Sequence, residues 1–278
     1  MLISNNVIRG NIMAKIENDK YYTLPELAKY CVEKTKEVIG DDNITEYIEP
    51  SAGSGVFLDY LDKPYLAYDI EPEDNRITKA DWLNVDLGYK QGRCIIGNPP
   101  YGDKNLLAMK FFRKSVDMCD YIAFILPISQ WNNNQQMFHF DLIYSENLGV
   151  RNYSDRAVHC CFNIFKRPKD GIREKAISYR LKDVTMKEVR KARNQFLPKD
   201  FKYDMGICSW GYIGKAVEYE GQYNQELYIK VNNTKLKDKV LDTIKSVDWE
   251  SVYPMTTTPR LKQWQVYKYL KEQIPELN

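Results

Sequence analysis

Asn98-Pro99-Pro100-Tyr101 closes the apolar run Cys94-Ile95-Ile96 and Gly97 with an amide, two prolines and an aromatic ring. Proline has no N–H and fixes φ, so the backbone after Asn98 is rigid and extended and its carbonyls stay available as acceptors. An Asn side chain, a fixed carbonyl and a flat ring can together grip a planar group that carries an amine. Such an amine is a poor nucleophile, because its lone pair is delocalised into the ring. If Asn98 Oδ1 and the Pro99 carbonyl each accept one N–H, the nitrogen is drawn toward tetrahedral geometry and can attack an electrophilic carbon. Positioning and fixed dipoles then supply most of the rate, not a titrating base. That suits a chain whose only histidines are His139 and His159.

A second constellation precedes this one. The strand-like "TEYIEP" (45–50) runs into the small-residue turn Ser51-Ala52-Gly53-Ser54-Gly55 and then into "GVFLDYL" (55–61), which has helical spacing. Glycines there let backbone N–H groups and a helix N-terminus approach a ligand closely. Asp69 lies 20 residues beyond Glu49 at the end of the next apolar run, where a doubly wound fold places a carboxylate for ribose hydroxyls. The third glycine of GxGxxG is missing, which argues against a pyrophosphate-containing dinucleotide and a dinucleotide-dependent oxidoreductase.

The elements that must position these residues alternate. Strand-like runs at "TEYIEP", "YLAYDI" (65–70), "RCIIGN" (93–98), "YIAFIL" (121–126) and "VHCCFNIF" (158–165) are separated by stretches of helical spacing at 106–119 and 135–144. A further helix is expected in "LPELAKYCVEKTKEVIG" (24–40), ended by Gly40. This pattern predicts an α/β fold with a mainly parallel sheet. After Pro168-Lys169-Asp170-Gly171 the character changes to a basic stretch, a β-like "GICSWGYIG" (206–214), a strand-like "ELYIKVNN" (226–233) and helices near 235–247 and 259–272. Thr258 and Pro259 carry the start signals of the last helix. The expected division is an N-terminal extension (1–19), a catalytic domain (20–168) and a small α+β region (169–278), with Met13 a second candidate start.

Composition narrows the class. The 278 residues are 44% hydrophobic and 28% charged, ordinary for a globular chain, with no apolar run of membrane-span length and no signal-peptide core in the polar first residues. Six cysteines without CxxC spacing read as structural thiols of a reducing cytoplasm, and no metal site is expected. The net charge of +2 is uneven: residues 166–202 hold 13 Lys/Arg against 5 Asp/Glu, so the remainder sums to −6. Such a block is the footprint expected of a phosphate-backbone contact, though a solvated face is the alternative.

Together with "YYTLPELAKYC" near the start and "ADWL" at 80–83, these segments stand in a fixed order. Over residues 20–165 the chain resembles the S-adenosylmethionine-dependent amino-methyltransferases of the DNA adenine-N6 type, in the motif order of their gamma group. The resemblance implies the class I methyltransferase fold, Rossmann-like with a seven-stranded sheet, and S-adenosyl-L-methionine as cofactor. Tyr22, Thr23 and the turn at Pro25 would line the methionine end. Glu49, Ser51, Ala52, Gly53 and Gly55 would form the cofactor loop, Asp69 would take the ribose hydroxyls, and Ile70 would pack on the adenine ring. Asp81 would accept from the cofactor's adenine amine beside Trp82, and Asn98 would border the cofactor. Asn98, Pro99, Pro100 and Tyr101 would be catalytic, Tyr101 stacking on a target base flipped out of its helix. A second aromatic would close the sandwich from the turn before "AVHCCFNIF"; Tyr153 is the first candidate and Phe162 the second.

The same four catalytic residues also serve methyltransferases of RNA and of protein glutamine. The Glu-Pro form of the loop, the position of the extra region after the catalytic domain and its basic start favour double-stranded DNA. An RNA or glutamine substrate, or a partner-dependent subunit, is the alternative. Trp210 is expected to seal the small region's core, with Tyr212 and Lys215 able to reach bases. A monomer or homodimer, alone or paired with a restriction endonuclease of the same site, would carry such a sequence.

Overall fold

The computed structural model describes residues 23–153, 156–255 and 258–278. The first helix, α1 (Pro25–Ile39), starts on Pro25 and buries Leu27, Ala28, Cys31, Val32 and Ile39. It stops at Gly40, whose φ of 85° and N–H bond to the Lys36 carbonyl make the expected C-cap. The chain then runs through β1 (Glu46–Glu49), β2 (Tyr65–Asp69), β3 (Thr78–Lys79), β4 (Arg93–Gly97), α2 (Leu106–Val116), β5 (Tyr121–Pro127), β6 (Asp141–Tyr153) and β7 (Arg156–Lys166).

These strands form one seven-stranded sheet in the order β3-β2-β1-β4-β5-β7-β6. Neighbours from β3 to β5 are parallel, and β7 runs antiparallel to both β5 and β6. The central strands are apolar along their whole length because both faces are covered. Cys94 and Ile96 of β4 join the core under α1, with Tyr47, Ile125 and Phe162, while Ile95 faces Phe112, Phe124 and Phe165 on the α2 side. Five parallel strands therefore end at one edge, and Glu49, Asp69 and Asn98 sit there or one residue beyond.

The C-terminal part holds β8 (Val184–Arg190), β9 (Met205–Cys208) and β10 (Gln225–Val231), antiparallel in the order β8-β10-β9, with α3 (Lys237–Ser246), α4 (Trp249–Val252) and α5 (Gln263–Gln273). Its own core contains Leu227, Ile229, Val240, Trp249, Leu261, Val266 and Leu270. The α+β character expected after residue 168 is what the chain adopts.

Three local expectations are corrected. "GVFLDYL" makes only a 3-10 turn over Leu58–Tyr60, since β2 resumes at Tyr65 and leaves too little chain for a helix. The stretch 135–144 is not helical: Met137 and Phe140 are buried from a loop, and β6 begins at Asp141. The last helix starts at Gln263, not at Pro259. The Pro259 carbonyl accepts from the Gly211 N–H, and Leu261 N–H donates to the Ser209 carbonyl, so this backbone is bridged to the segment after β9 before it can coil. The strand β8, hidden in the basic stretch, was not expected at all. No helix among the described residues is long and apolar enough to cross a membrane.

Candidate active site

Glu49 ends β1 and is 2% exposed, with Oε2 buried and without a hydrogen-bond partner. Burial first and the charge of Asp69 second push its carboxyl well above the usual carboxylate range, against an opposing pull from Arg76. A Cβ on Gly97 would lie 3.3 Å from Glu49 Cγ, so the glycine at the end of β4 makes room for the acid. Asp69, at the end of β2, is fixed at both oxygens: Oδ2 accepts from Gly53 N–H and Oδ1 from Glu71 N–H, each at 2.8 Å. A carboxylate oxygen so held keeps further acceptor capacity for a ligand hydroxyl.

The loop between them is drawn tight by backbone bonds from Ala52 N–H to the Tyr68 carbonyl (2.9 Å) and from Gly55 N–H to the Ala52 carbonyl (2.7 Å). Gly53 has a φ of 52°, and a Cβ there would meet nothing within 4 Å. The turn thus presents bare backbone to open space above Asp69.

The amide motif joins this loop through side chains distant in sequence. Asn98 Nδ2 donates to Thr23 Oγ1 at 3.2 Å, and Ser51 Oγ donates to the Asn98 carbonyl at 3.4 Å. Thr23 is itself 8% exposed, and Pro25 begins α1 beside it, exposed. The structure therefore brings together Thr23, Glu49, Ser51, Gly53, Asp69 and Asn98. Pro99 and Pro100 carry the chain to Tyr101, whose carbonyl accepts from Leu107 and Ala108 N–H at the start of α2.

Four expected site residues take more qualified positions. Tyr101 is 6% exposed, packed within the α2-side core. Trp82 is 1% exposed in the same core, 5.9 Å from the Tyr68 ring, with Nε1 buried and unpartnered. Asp81 is exposed and caps the 3-10 turn Trp82–Asn84 by accepting from Leu83 N–H at 2.9 Å and Asn84 Nδ2 at 3.0 Å. Ile70 is 50% exposed directly beyond Asp69, an apolar surface at the rim of the loop. Tyr22 lies outside the described residues. Tyr153 is the last residue of β6 and pairs with Arg156 of β7, while the residues between them lie outside the described ones; Phe162 is buried in the α1-side core.

The basic stretch 166–202 is partly consumed internally. Arg167 donates to the Val116 and Cys119 carbonyls, Arg173 pairs with Asp141, and Arg190 pairs with Glu188. The "WGYIG" segment behaves differently from expectation: Trp210 is 40% exposed and Tyr212 63% exposed, and Trp249 seals the C-terminal core instead. The Lys215 ammonium lies over the Tyr212 ring.

Sequence reading also missed a cleft of about 500 Å³ between the first sheet and the C-terminal part, lined from both sides by residues including Lys104, Gln130, Arg260 and Trp264. Lys104 (φ 51°) and Asn105 (φ 66°) on its wall are both left-handed and follow Tyr101-Gly102-Asp103. The signal that could have found it is the basic and aromatic run Arg260-Leu261-Lys262-Gln263-Trp264, which reads first as the start of a helix.

These residues fit S-adenosylmethionine. The orphaned Glu49 oxygen suits a cationic or hydroxyl-bearing group, the oriented Asp69 suits a diol, and the open space at Gly53 accommodates close approach of a ligand to backbone. The strand order with its antiparallel seventh strand is that of the class I S-adenosylmethionine-dependent methyltransferases, so the chain has that fold. No protein-family model and no curated protein matches the chain. Among solved structures it is similar to the type I restriction-modification system methyltransferase subunit from Streptococcus thermophilus, at 14% identity over 54% of this chain and 45% of that one, TM-score 0.42. It is similar also to the 23S rRNA methyltransferase ErmE, at 12% identity over 56% and 72%, TM-score 0.40. A third is the N-methyltransferase NodS from Bradyrhizobium japonicum, at 11% identity over 52% and 98%, TM-score 0.39.

Proposed function

We propose that the chain transfers the methyl group of S-adenosylmethionine to N6 of an adenine flipped out of duplex DNA, with residues 20–168 catalytic and 169–278 recognising the target. The observation that carries this reading is the Asn98 amide at the end of β4, held by Thr23 beside the Glu49–Asp69 loop and followed by two prolines. The bound cofactor supplies an electrophilic methyl on its sulfonium. Thr23 accepts from Asn98 Nδ2, which sets the edge of the amide that carries Oδ1. Oδ1 and the Pro99 carbonyl each accept one N–H of the target amine, so the nitrogen lone pair turns out of the ring plane and toward the methyl. The two acceptors then hold the positively charged nitrogen until one proton passes to water. No side chain need change protonation state, and the fixed dipoles carry the stabilisation.

Asp69 orients the ribose, Ile70 covers the adenine of the cofactor, and Glu49 balances the cationic end. The basic stretch after residue 166 and the cleft walled by Lys104, Arg260 and Lys262 support a polyanionic substrate. DNA is favoured over RNA or a protein glutamine by the Glu-Pro form of the loop and by the order of the two parts.

The test is incubation with S-adenosylmethionine and, separately, unmodified duplex DNA, RNA or protein extract, followed by digestion and mass spectrometry. N6-methyladenine in DNA alone is expected. Asn98→Ala should lower the rate roughly a hundredfold or more, the scale of removing one transition-state hydrogen bond. Methylated RNA or glutamine would keep the chemistry and overturn the DNA assignment.

A further inference from the structure

The cleft between the two sheets contains two buried polar atoms that face no partner. Gln130, just beyond β5, is 1% exposed; its Nε2 donates to Gln136 Oε1 at 2.7 Å, while its own Oε1 is buried without a donor. On the opposite wall, Arg260 Nε is buried without an acceptor, and the guanidinium is only loosely paired, 3.7 Å from Glu188. A buried amide oxygen and a buried guanidinium N–H each lose free energy when left unsatisfied, about 1–3 kcal/mol for a neutral group and more for a charged one. Both residues line the same cleft, which suits a ligand that brings both a donor and an anionic acceptor.

Lys262 stands beside Arg260 as the residue preceding α5, whose 11 residues direct their positive end into the same space. Lys262 keeps a solvent-exposed face, yet the surrounding protein and the Arg260 charge push its ammonium below the usual lysine range. Two cations crowded in this way are relieved by an anion between them. A second cavity of about 380 Å³ shares Arg260, Lys262 and Trp264 with the first and reaches Arg180 and Arg190, so the basic lining continues past the cleft. At its other end the cleft meets the left-handed pair Lys104 and Asn105, and Asn105 Nδ2 is tied to Ser129 Oγ at 3.1 Å. Paired left-handed non-glycine residues are costly and persist where surrounding structure imposes them, which is common at ligand sites.

The geometry points to a nucleotide site in this cleft, resting on the proposed action on DNA: Arg260 and Lys262 hold a backbone phosphate next to the target adenine, and Gln130 reads the exocyclic amine of a neighbouring base. The unpartnered atom of Gln130 is its oxygen, which accepts from an adenine N6 or cytosine N4 amine, while one of its two Nε2 hydrogens is already engaged by Gln136, so the free acceptor favours those bases over the keto oxygens of guanine or thymine. Gln130 is thus a specificity residue, and the two cations are sequence-blind.

The test uses the full chain, a fluorescent random-sequence 24-base-pair duplex, and unmethylated plasmid DNA. Binding of S-adenosylhomocysteine by calorimetry serves as the folding control. Arg260→Gln and Lys262→Gln should each weaken duplex binding about tenfold and flatten the slope of log affinity against log salt by about 0.9, one phosphate apiece, with cofactor affinity unchanged. Gln130→Met, of similar length and apolar, should leave the salt slope of duplex binding unaltered, since no phosphate contact is lost. Sequencing of the methylated plasmid positions should then show one flanking position relaxed from adenine or cytosine to any base. Wild-type protein that neither binds nor methylates DNA overturns the proposed substrate and this site with it. Wild-type protein that methylates DNA, beside cation variants with unaltered affinity and salt slope, overturns the phosphate assignment alone. An unaltered methylated sequence in Gln130→Met overturns the base reading.

Discussion

At the scale of single residues, Glu49 is the group whose state the site controls most directly. It is buried at the end of β1 with one oxygen unpartnered, and its carboxyl is raised by burial and by Asp69. A carboxyl raised above its unfolded value contributes stability that is fully present below the unfolded pKa and is lost as pH rises through the folded one. The unfolding temperature of the ligand-free protein should therefore fall across that window, and Glu49→Gln should be flat there. A cationic ligand beside Glu49 favours the ionised form, so binding within the window should release a proton. Calorimetric titration with S-adenosylhomocysteine in buffers of different ionisation enthalpy reads this directly. Equal heats in every buffer would remove Glu49 from the cofactor site. The acid itself was legible in the sequence, because strand, acid and glycine turn stand in order. The bond between Thr23 and Asn98, 75 residues apart, was not legible, since no local pattern encodes it.

At the scale of elements, the parallel core was readable because its strands are apolar on both faces and bounded by Gly, Pro and Asn. The failures share a cause: tertiary bridging overrode a local signal. Pro259 reads as a helix start, but its carbonyl is claimed by Gly211. Residues 135–144 read as an amphipathic helix because Met137 and Phe140 fill the core from a loop while Leu142 opens a strand. The strand β8 was masked by charge: Val184 and Met186 face the core while Lys187, Glu188 and Arg190 do not. Gly214 tests how far the C-terminal core is a separate element. A Cβ there would lie 2.3 Å from Trp249 Cδ1, at a φ of 86°. The left-handed penalty and overpacking together should cost about 2–4 kcal/mol. Gly214→Ala should raise proteolytic cutting within 184–278 and abolish transfer to DNA, with S-adenosylhomocysteine affinity kept. Loss of cofactor binding in step with the C-terminal core would show one cooperative unit instead.

At the scale of the whole molecule, the question is what holds the second sheet over the edge where Asn98 lies. Lys268 of α5 is 9% exposed and donates to both the carbonyl and Oδ1 of Asn132, each at 2.7 Å, and Asn132 is left-handed at a φ of 47°. Burial holds the ammonium below the usual lysine range, with Glu272 opposing. Gln135 Nε2 donates to the Ile177 carbonyl and Tyr179 OH donates to Asn134 Oδ1, so the loop after β5 is tied to the C-terminal part at three points. Gln130 stands in that loop, two residues before Asn132. Replacing Lys268 by Met removes two charge-assisted bonds and, at the same time, the cost of burying the ammonium, while Asn132 is exposed enough for water to take over its acceptors. The two effects oppose, so stability should move by only about 1 kcal/mol. Position is another matter, because apolar packing of Met fixes no direction and the loop loses its anchor. Lys268→Met should therefore keep its unfolding temperature within a few degrees and its cofactor affinity unchanged, yet methylate DNA about tenfold more slowly in single turnover. A wild-type single-turnover rate would mean that the two sheets are set by their apolar contact alone, and that this lysine has no part in placing the substrate.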